Sequence, residues 1–400
     1  MQTQLTAFIK QTAKGREAEA ILRRCVHCGF CNANCPTYQL QGDELEGPRG
    51  RIYLIKQVLE GEIASAATQQ HLDSCLNCLG CETACPSGVN YGRLLDIGRE
   101  IVERQAVRPW RQALLRRMLL IALPYPRRFK ILLRIARGLR PLLPERLQAK
   151  LPLEKHPGAW PPPRQTRRML IMQGCVQPAL APGVDAAAAR VLDRLGVSLI
   201  PVAASCCGAM PYHLGDHGAA LDMMRRNIDA CWPLLETGVE AIVSTASGCG
   251  AHGKDYGRLL ANDRHYAEKA ARISALTKDI GEILRDEDLA ALHIQPSRVA
   301  FHAPCTLQHG QQLSGVVENI LTQLGFSLTA VPDSHLCCGS AGAYSILQPE
   351  LAGRLQTERV QALQTGHPQL IATANIGCLL YLREKAAVPV KHWIELLASD

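Results

Sequence analysis

The run Cys25-Val-His-Cys28-Gly-Phe-Cys31-Asn-Ala-Asn-Cys35-Pro36 recurs fifty positions later as Cys75-Leu-Asn-Cys78-Leu-Gly-Cys81-Glu-Thr-Ala-Cys85-Pro86. Three cysteines at two-residue intervals let one short loop wrap a face of an iron–sulfur cubane, with backbone N–H groups turned toward its sulfides. The proline then directs the fourth cysteine away, to the other cluster of a pair. The spacing therefore assigns Cys25, Cys28, Cys31 and Cys85 to one [4Fe-4S] cluster, and Cys75, Cys78, Cys81 and Cys35 to a second. Structural zinc also uses Cys-x-x-Cys knuckles, but it does not account for two matched runs each closed by Cys-Pro. His27 sits inside a cysteine-complete run and is expected at the surface or behind the ligands rather than among them.

Outward from these runs, a longer unit appears twice. Cys175, Cys206-Cys207-Gly208 and Cys249 are followed by Cys305, Cys337-Cys338-Gly339 and Cys378, at offsets of 130, 131, 131 and 129 residues. Constant offsets mark a duplication rather than scattered thiols. The chain has 400 residues, enough for two or three domains, and seventeen cysteines, an odd number that no all-disulfide scheme can satisfy. Its first twenty residues carry charges throughout and have no apolar signal-like stretch, so a reducing cytosol is expected, where thiols serve metals or catalysis.

Net charge is +8, unevenly placed: from Arg108 to Arg168 sixteen Arg or Lys face only Glu145 and Glu154, a local +14 that leaves −6 elsewhere. This stretch is rich in proline and interleaves cations with Leu and Ile at helical spacing. It is expected to lie on anionic lipid, to dock on an acidic partner, or to be solvated on one face and packed on the other. Aromatic residues are 4% of the chain, too few for stacking on nucleic acid, so no nucleic-acid partner is expected. No run is continuous and apolar enough to span a bilayer.

Helix-like spacing over 50–62 and 92–107 predicts helices joined by cysteine-bearing loops in the first region. Further on, apolar runs at 168–172, 197–202, 240–244, 298–301, 326–331 and 369–373 alternate with helical patterns such as Asp185 to Leu195. That order predicts parallel sheets, with the cysteines in loops just after strands. The predicted class is an α+β multidomain chain: an α-helical ferredoxin-like domain with two [4Fe-4S] clusters over 1–105, a basic connecting segment over 106–167, and a duplicated α/β cysteine-rich domain over 168–296 and 297–400. Gly248-Cys-Gly250-Ala-His-Gly253 matches a dinucleotide fingerprint, but its counterpart around Asn375 lacks the glycines and it does not open the first βαβ unit, so no dinucleotide site is expected.

The order of one cysteine, then Cys-Cys-Gly, then a terminal cysteine pair resembles the CCG domain of the heterodisulfide reductases and their relatives, which there binds an unusual iron–sulfur centre. Here the first cysteine of the terminal pair is replaced by Ala246 in one copy and Asn375 in the other. Four thiols per copy remain: Cys175, Cys206, Cys207 and Cys249, then Cys305, Cys337, Cys338 and Cys378. They suit one further centre per copy, or inert buried thiols in a retained scaffold. Cys35-Pro-Thr-Tyr-Gln-Leu, Gly47-Pro-Arg-Gly-Arg-Ile-Tyr-Leu-Ile-Lys56, Ala246-Ser-Gly-Cys-Gly250, Pro304-Cys-Thr-Leu-Gln-His309 and Asp333-Ser-His-Leu-Cys-Cys-Gly-Ser-Ala-Gly342 resemble the glycolate oxidase (glycolate dehydrogenase) iron–sulfur subunits along nearly the whole chain.

That resemblance implies an electron-transfer subunit with no catalytic residue of its own. It implies FAD on partner subunits that oxidise glycolate to glyoxylate, a quinone or other membrane acceptor, and a place on the cytoplasmic face of the inner membrane. Subunits of glycerol-3-phosphate or lactate dehydrogenases and a heterodisulfide-reductase-like enzyme are the alternatives it leaves.

Overall fold

A computed structural model describes residues 1–142, 157–203 and 205–398. Of the basic stretch, 143–156 lies outside the described residues. The chain divides into two compact units, Met1–Arg116 with Asp333–Arg359, and Arg117–Pro332 with Val360–Asp400. Compactness thus groups the segment Asp333–Arg359, which carries Cys337 and Cys338, with the N-terminal residues rather than with the rest of its repeat.

The first unit is helical up to Arg116, as its 3.6-residue spacing predicts. Helix Ala13–Arg24 starts where the Thr12 hydroxyl accepts from the Gly15 N–H. Helix Pro48–Leu59 places proline at its first turn, where the missing N–H costs nothing. Helix Tyr91–Gln105 starts on Asn90, whose side chain accepts from the Arg93 N–H. Their apolar faces meet in a core of Leu22, Ile55, Leu59, Leu94, Leu95 and Ile97. Burying each such side chain contributes about 2 kcal/mol, and together they form the frame from which the two cysteine runs hang.

The second unit holds two sheets of four parallel strands. The first contains β1 (Arg167–Met172), β2 (Val197–Val202), β3 (Ile242–Ser244) and β4 (Thr277–Asp279), in the order β2-β1-β3-β4. The second contains β5 (Arg298–His302), β6 (Ser327–Leu328), β7 (Leu370–Thr373) and β8 (Val390–His392), in the order β6-β5-β7-β8. Identical order in both sheets is the structural counterpart of the cysteine offsets. Register pairs Leu170 with both Ile200 and Ile242, and Ala300 with Ile371. The central strands are buried on both faces, so they read as continuous apolar runs rather than alternations.

The copies meet at the ends of β3 and β7. Ser247 N–H donates to the Ala374 carbonyl at 3.2 Å, Gln311 Nε2 donates to the Ser247 carbonyl at 3.0 Å, and His392 Nε2 lies 2.8 Å from the Thr245 carbonyl. Burial pushes the pKa of His392 down to about 4, so the ring is neutral in that seam. The strands β4 and β8, three residues each, were not predicted, and β6 is shorter than the predicted 326–331 run.

Candidate metal centre

The two cysteine runs fold alike. In the first, His27 and Gly29 take left-handed backbone angles (φ 57° and 86°); in the second, Asn77 and Leu79 do the same (φ 53° and 63°). Two left-handed residues between three cysteines curl the loop tightly enough to bring its thiols to one side. Glycine makes this turn without strain at 29, whereas Leu79 carries it at a cost of about 1–2 kcal/mol.

Cys25, Cys28 and Cys31 line one cleft together with Cys85, and Cys75, Cys78 and Cys81 line another together with Cys35; Cys81 and Pro48 border both. The first cleft encloses about 430 Å³ and the second about 300 Å³, counting their open mouths. Each run therefore shares its cleft with the Cys-Pro cysteine of the other. Cys28 is exposed, while Cys25, Cys35 and Cys81 are buried.

Burial pushes the Cys31 thiol up to about 11, raises Cys25, and holds Cys81 well above the ordinary range. In the bare chain these sulfurs keep their protons, and only a bound cation would make thiolates stable there. A four-thiol donor set in each cleft fits an iron–sulfur cluster. Backbone and hydroxyl donors already point at the sulfurs: Asn77 N–H to Cys75 Sγ (3.5 Å), Val89 N–H to Cys85 Sγ (3.5 Å) and Tyr91 O–H to Cys75 Sγ (3.6 Å).

Behind the second cleft lies a polar network that the sequence reading missed. Arg51, 1% exposed, donates to the Glu46 carboxylate (2.6 Å), to Thr37 Oγ1 (3.1 Å) and to the His71 carbonyl (2.7 Å). Glu46 in turn lies 2.7 Å from His71 Nδ1, and Thr37 Oγ1 stands 3.3 Å from Cys35 Sγ. Burial opposes the charge on Arg51, but Cys75, Tyr91, Cys35 and Glu46 around it outweigh that penalty and raise its pKa. The matching arginine at the first cleft, Arg49, is half exposed and pairs with Glu44. His27 lines the first cleft with its ring edge-on to Tyr53, centroids 6.4 Å apart, and burial lowers its pKa.

In the first copy of the duplicated domain, Cys175, Cys206, Cys207 and Cys249 converge with Met223, Tyr125 and Ala209. They sit beyond the carboxyl ends of β1, β2 and β3, where strand order reverses and open α/β sheets bind ligands. Cys175 and Cys207 donate to Cys206, which also takes the N–H groups of Gly208 and Met210, so the Cys206 thiol is held low and its two neighbours high. Gly208 is left-handed (φ 94°), and a Cβ there would stand 3.0 Å from the Ala220 carbonyl, which explains the glycine after the cysteine pair.

Of the second-copy cysteines, Cys305 precedes a short helical turn after β5 and Cys378 lies in helix Ile376–Arg383; both belong to the second unit. Cys337 and Cys338 belong to the first, where Cys337 Sγ accepts from the Gly339 N–H at 3.4 Å. All four are buried. Cys249 and Cys378 stand in the first turns of helices rather than in loops, a correction to the expected placement. Ala246 and Asn375 occupy equivalent N-terminal caps of those helices, and Asn375 Nδ2 donates to Cys378 Sγ at 3.7 Å. The seventeenth thiol, Cys231, is fully buried among apolar side chains and pushed up to about 12, so it is a core residue.

The glycines of the fingerprint-like Gly248–Gly253 string lie inside helix Ser247–Lys254. A Cβ at Gly250 would stand 3.1 Å from Gln311 and 3.2 Å from Ser244, and one at Gly253 3.1 Å from Thr277. These glycines permit close packing of the helix on its neighbours.

Comparison with known proteins agrees with this geometry. The family described as "4Fe-4S dicluster domain" matches residues 21–89, and the "Cysteine-rich domain" family matches 169–252 and 299–383. The glycolate oxidase iron-sulfur subunit of Escherichia coli (strain K12) is 54% identical over 400 residues, 99% of this chain and 98% of that protein. The chain belongs to the glycolate oxidase iron–sulfur subunit family. A probable member from Bacillus subtilis (strain 168) is 29% identical over 94% of this chain and 91% of its own length. The lactate utilization protein A of Bacillus velezensis is 30% identical over 56% of this chain, and so resembles only part of it. Among solved structures, a hypothetical protein from Helicobacter pylori shares the fold (TM-score 0.53, 10% identity, 97% of this chain and 73% of that one).

Proposed function

We propose that this chain is the electron-transfer subunit of a flavin-dependent glycolate dehydrogenase complex. The observation that carries the reading is the pair of four-thiol clefts, each completed by the Cys-Pro cysteine of the opposite run, in a family whose Escherichia coli relative is named for glycolate oxidase. In this reading Cys25, Cys28, Cys31 and Cys85 hold one [4Fe-4S] cluster, and Cys75, Cys78, Cys81 and Cys35 hold the second. Bound there, such clusters take up and release electrons one at a time.

The chain's own residues fix the ligands and their charge. The left-handed turns at His27, Gly29, Asn77 and Leu79 aim the thiols, and Asn77 N–H, Val89 N–H and Tyr91 O–H donate to sulfur. Arg51 supplies a buried positive charge beside the second set. Donors and cations near the sulfurs favour the reduced, more negative state, so they raise the potential of the cluster they touch. The convergent Cys175, Cys206, Cys207 and Cys249 form a third metal-binding set in the same reading.

FAD on partner subunits would oxidise glycolate to glyoxylate, and the electrons would leave through this chain toward a quinone or another acceptor at the cytoplasmic face of the inner membrane. The test is anaerobic: purified chain, partner flavin subunits and glycolate are mixed and frozen for EPR. Glycolate should develop reduced-cluster signals only when the flavin subunits are present. Signals that stay absent in the complete mixture, while dithionite produces them, would remove the glycolate assignment.

A further inference from the structure

Helices Trp110–Ala122 and Pro126–Gly138 present an inverted face to solvent. On the first, Leu119 is buried. Trp110, Leu114, Met118 and Ile121, spaced i, i+4, i+8 and i+11, project from the opposite side, 50% to 70% exposed. On the second, Leu133 is buried while Ile131, Ile135 and Leu139, spaced i, i+4 and i+8 with Leu132 beside them, are 49% to 56% exposed. Nine of the fifteen large apolar side chains exposed among the described residues fall between Val107 and Leu139. Scattered single exposures are ordinary, but a stripe on each of two successive helices is not.

Charge accompanies the stripes. No Asp or Glu occurs between Glu103 and Glu145. Arg111 and Arg117 are exposed at the margins of the first stripe, and Arg127, Lys130 and Arg134 flank the second. Arg116, on the packed side of its helix, pairs with Asp73 at 3.4 Å and is used up there. Thirteen residues make a helix about 20 Å long, too short for a hydrocarbon core of about 30 Å. Among the described residues no helix is long and apolar enough to cross a membrane. An apolar stripe with cationic margins on a short helix is the arrangement that lies in the plane of a bilayer, with the tryptophan at headgroup depth and arginine stems reaching to phosphate.

We propose that each of these stripes docks on anionic phospholipid, seating the chain on a membrane. The proposal deepens, and rests on, the reading that this subunit delivers electrons to a membrane acceptor. Charge complementarity selects the occupant: apolar side chains without a single carboxylate, on helices that carry six exposed cations, match a negatively charged lipid face.

The test uses the full chain with its clusters, sedimented with vesicles of phosphatidylcholine plus phosphatidylglycerol and, separately, of phosphatidylcholine alone. Binding to the mixed vesicles should be at least about tenfold tighter, and should weaken as salt is raised. The surface variant Ile131→Asp/Ile135→Asp should lose at least about tenfold in binding, while its iron content and its rate with a soluble dye acceptor stay those of the parent. Equal binding to both vesicle types would overturn the proposal. So would a variant that keeps its vesicle binding but no longer co-purifies with its flavin subunits, which would make the stripes a protein interface. Dye reduction failing in the parent complex would instead remove the electron-transfer reading.

Discussion

Arg51 donates from Nη2 to the Glu46 carboxylate at 2.6 Å, with 1% and 8% of the two side chains exposed. Two charges buried this deeply are tolerated because the remaining donors and acceptors are satisfied by Thr37, the His71 carbonyl and the His71 ring. Removing one partner leaves the other charge buried and unpaired. Arg51→Met should therefore cost roughly 3–5 kcal/mol of stability, and Arg51→Met with Glu46→Gln should cost less than the single change. Urea midpoints of the cluster-loaded variants measure this. Additive losses would show that the two residues act independently.

Asp185 gives a pH prediction. Its carboxyl is pushed up to about 6 by desolvation, against hydrogen bonds from Thr245 and Gln177. An aspartate raised in the folded state contributes stability below its unfolded pKa of about 3.9 and loses it as pH rises through about 6. Asp185→Asn keeps an oxygen for both donors and removes the charge. The variant should be more stable than the parent at pH 8, by up to about 3 kcal/mol, with the difference gone near pH 4. A difference that does not change between those two pH values would contradict the shift.

Proline after each fourth cysteine predicts that Cys35 and Cys85 are exchanged between the runs; the structure puts Cys85 in the lining of the first run's cleft and Cys35 in that of the second. Sheet order was legible only as a duplication: equal offsets imply equal topology without saying which strand lies where. The edge strands β4 and β8 escaped because Thr277-Lys-Asp279 and Val390-Lys-His392 are three residues long with a lysine in the middle, too short for any period and charged as edges are. Arg51 escaped for a different reason. A charged residue on a helix reads as solvent-facing, and only the packing of Glu46, Thr37 and His71 around it shows otherwise.

The first-copy thiols make a separate prediction. If Cys175, Cys206, Cys207 and Cys249 hold a centre, iron should exceed eight atoms per chain, the sum of two four-iron clusters. Cys207→Ser should then lower the iron count while the two cubane signals persist. Iron fixed at eight, with Cys207→Ser harmless to electron transfer, would make these four sulfurs an inert scaffold.

The exchange of the fourth ligand between the two cysteine runs is the central claim, and one set of variants addresses it directly. Cys28→Ser, Cys85→Ser, Cys78→Ser and Cys35→Ser are each purified without oxygen, reduced, and compared by EPR and iron content. Cys85→Ser should perturb the same signal as Cys28→Ser, and Cys35→Ser the same signal as Cys78→Ser, although each pair is drawn from different runs. If Cys35→Ser instead perturbs the signal of Cys28→Ser, and Cys85→Ser that of Cys78→Ser, each run holds its own cluster and the assignment is wrong.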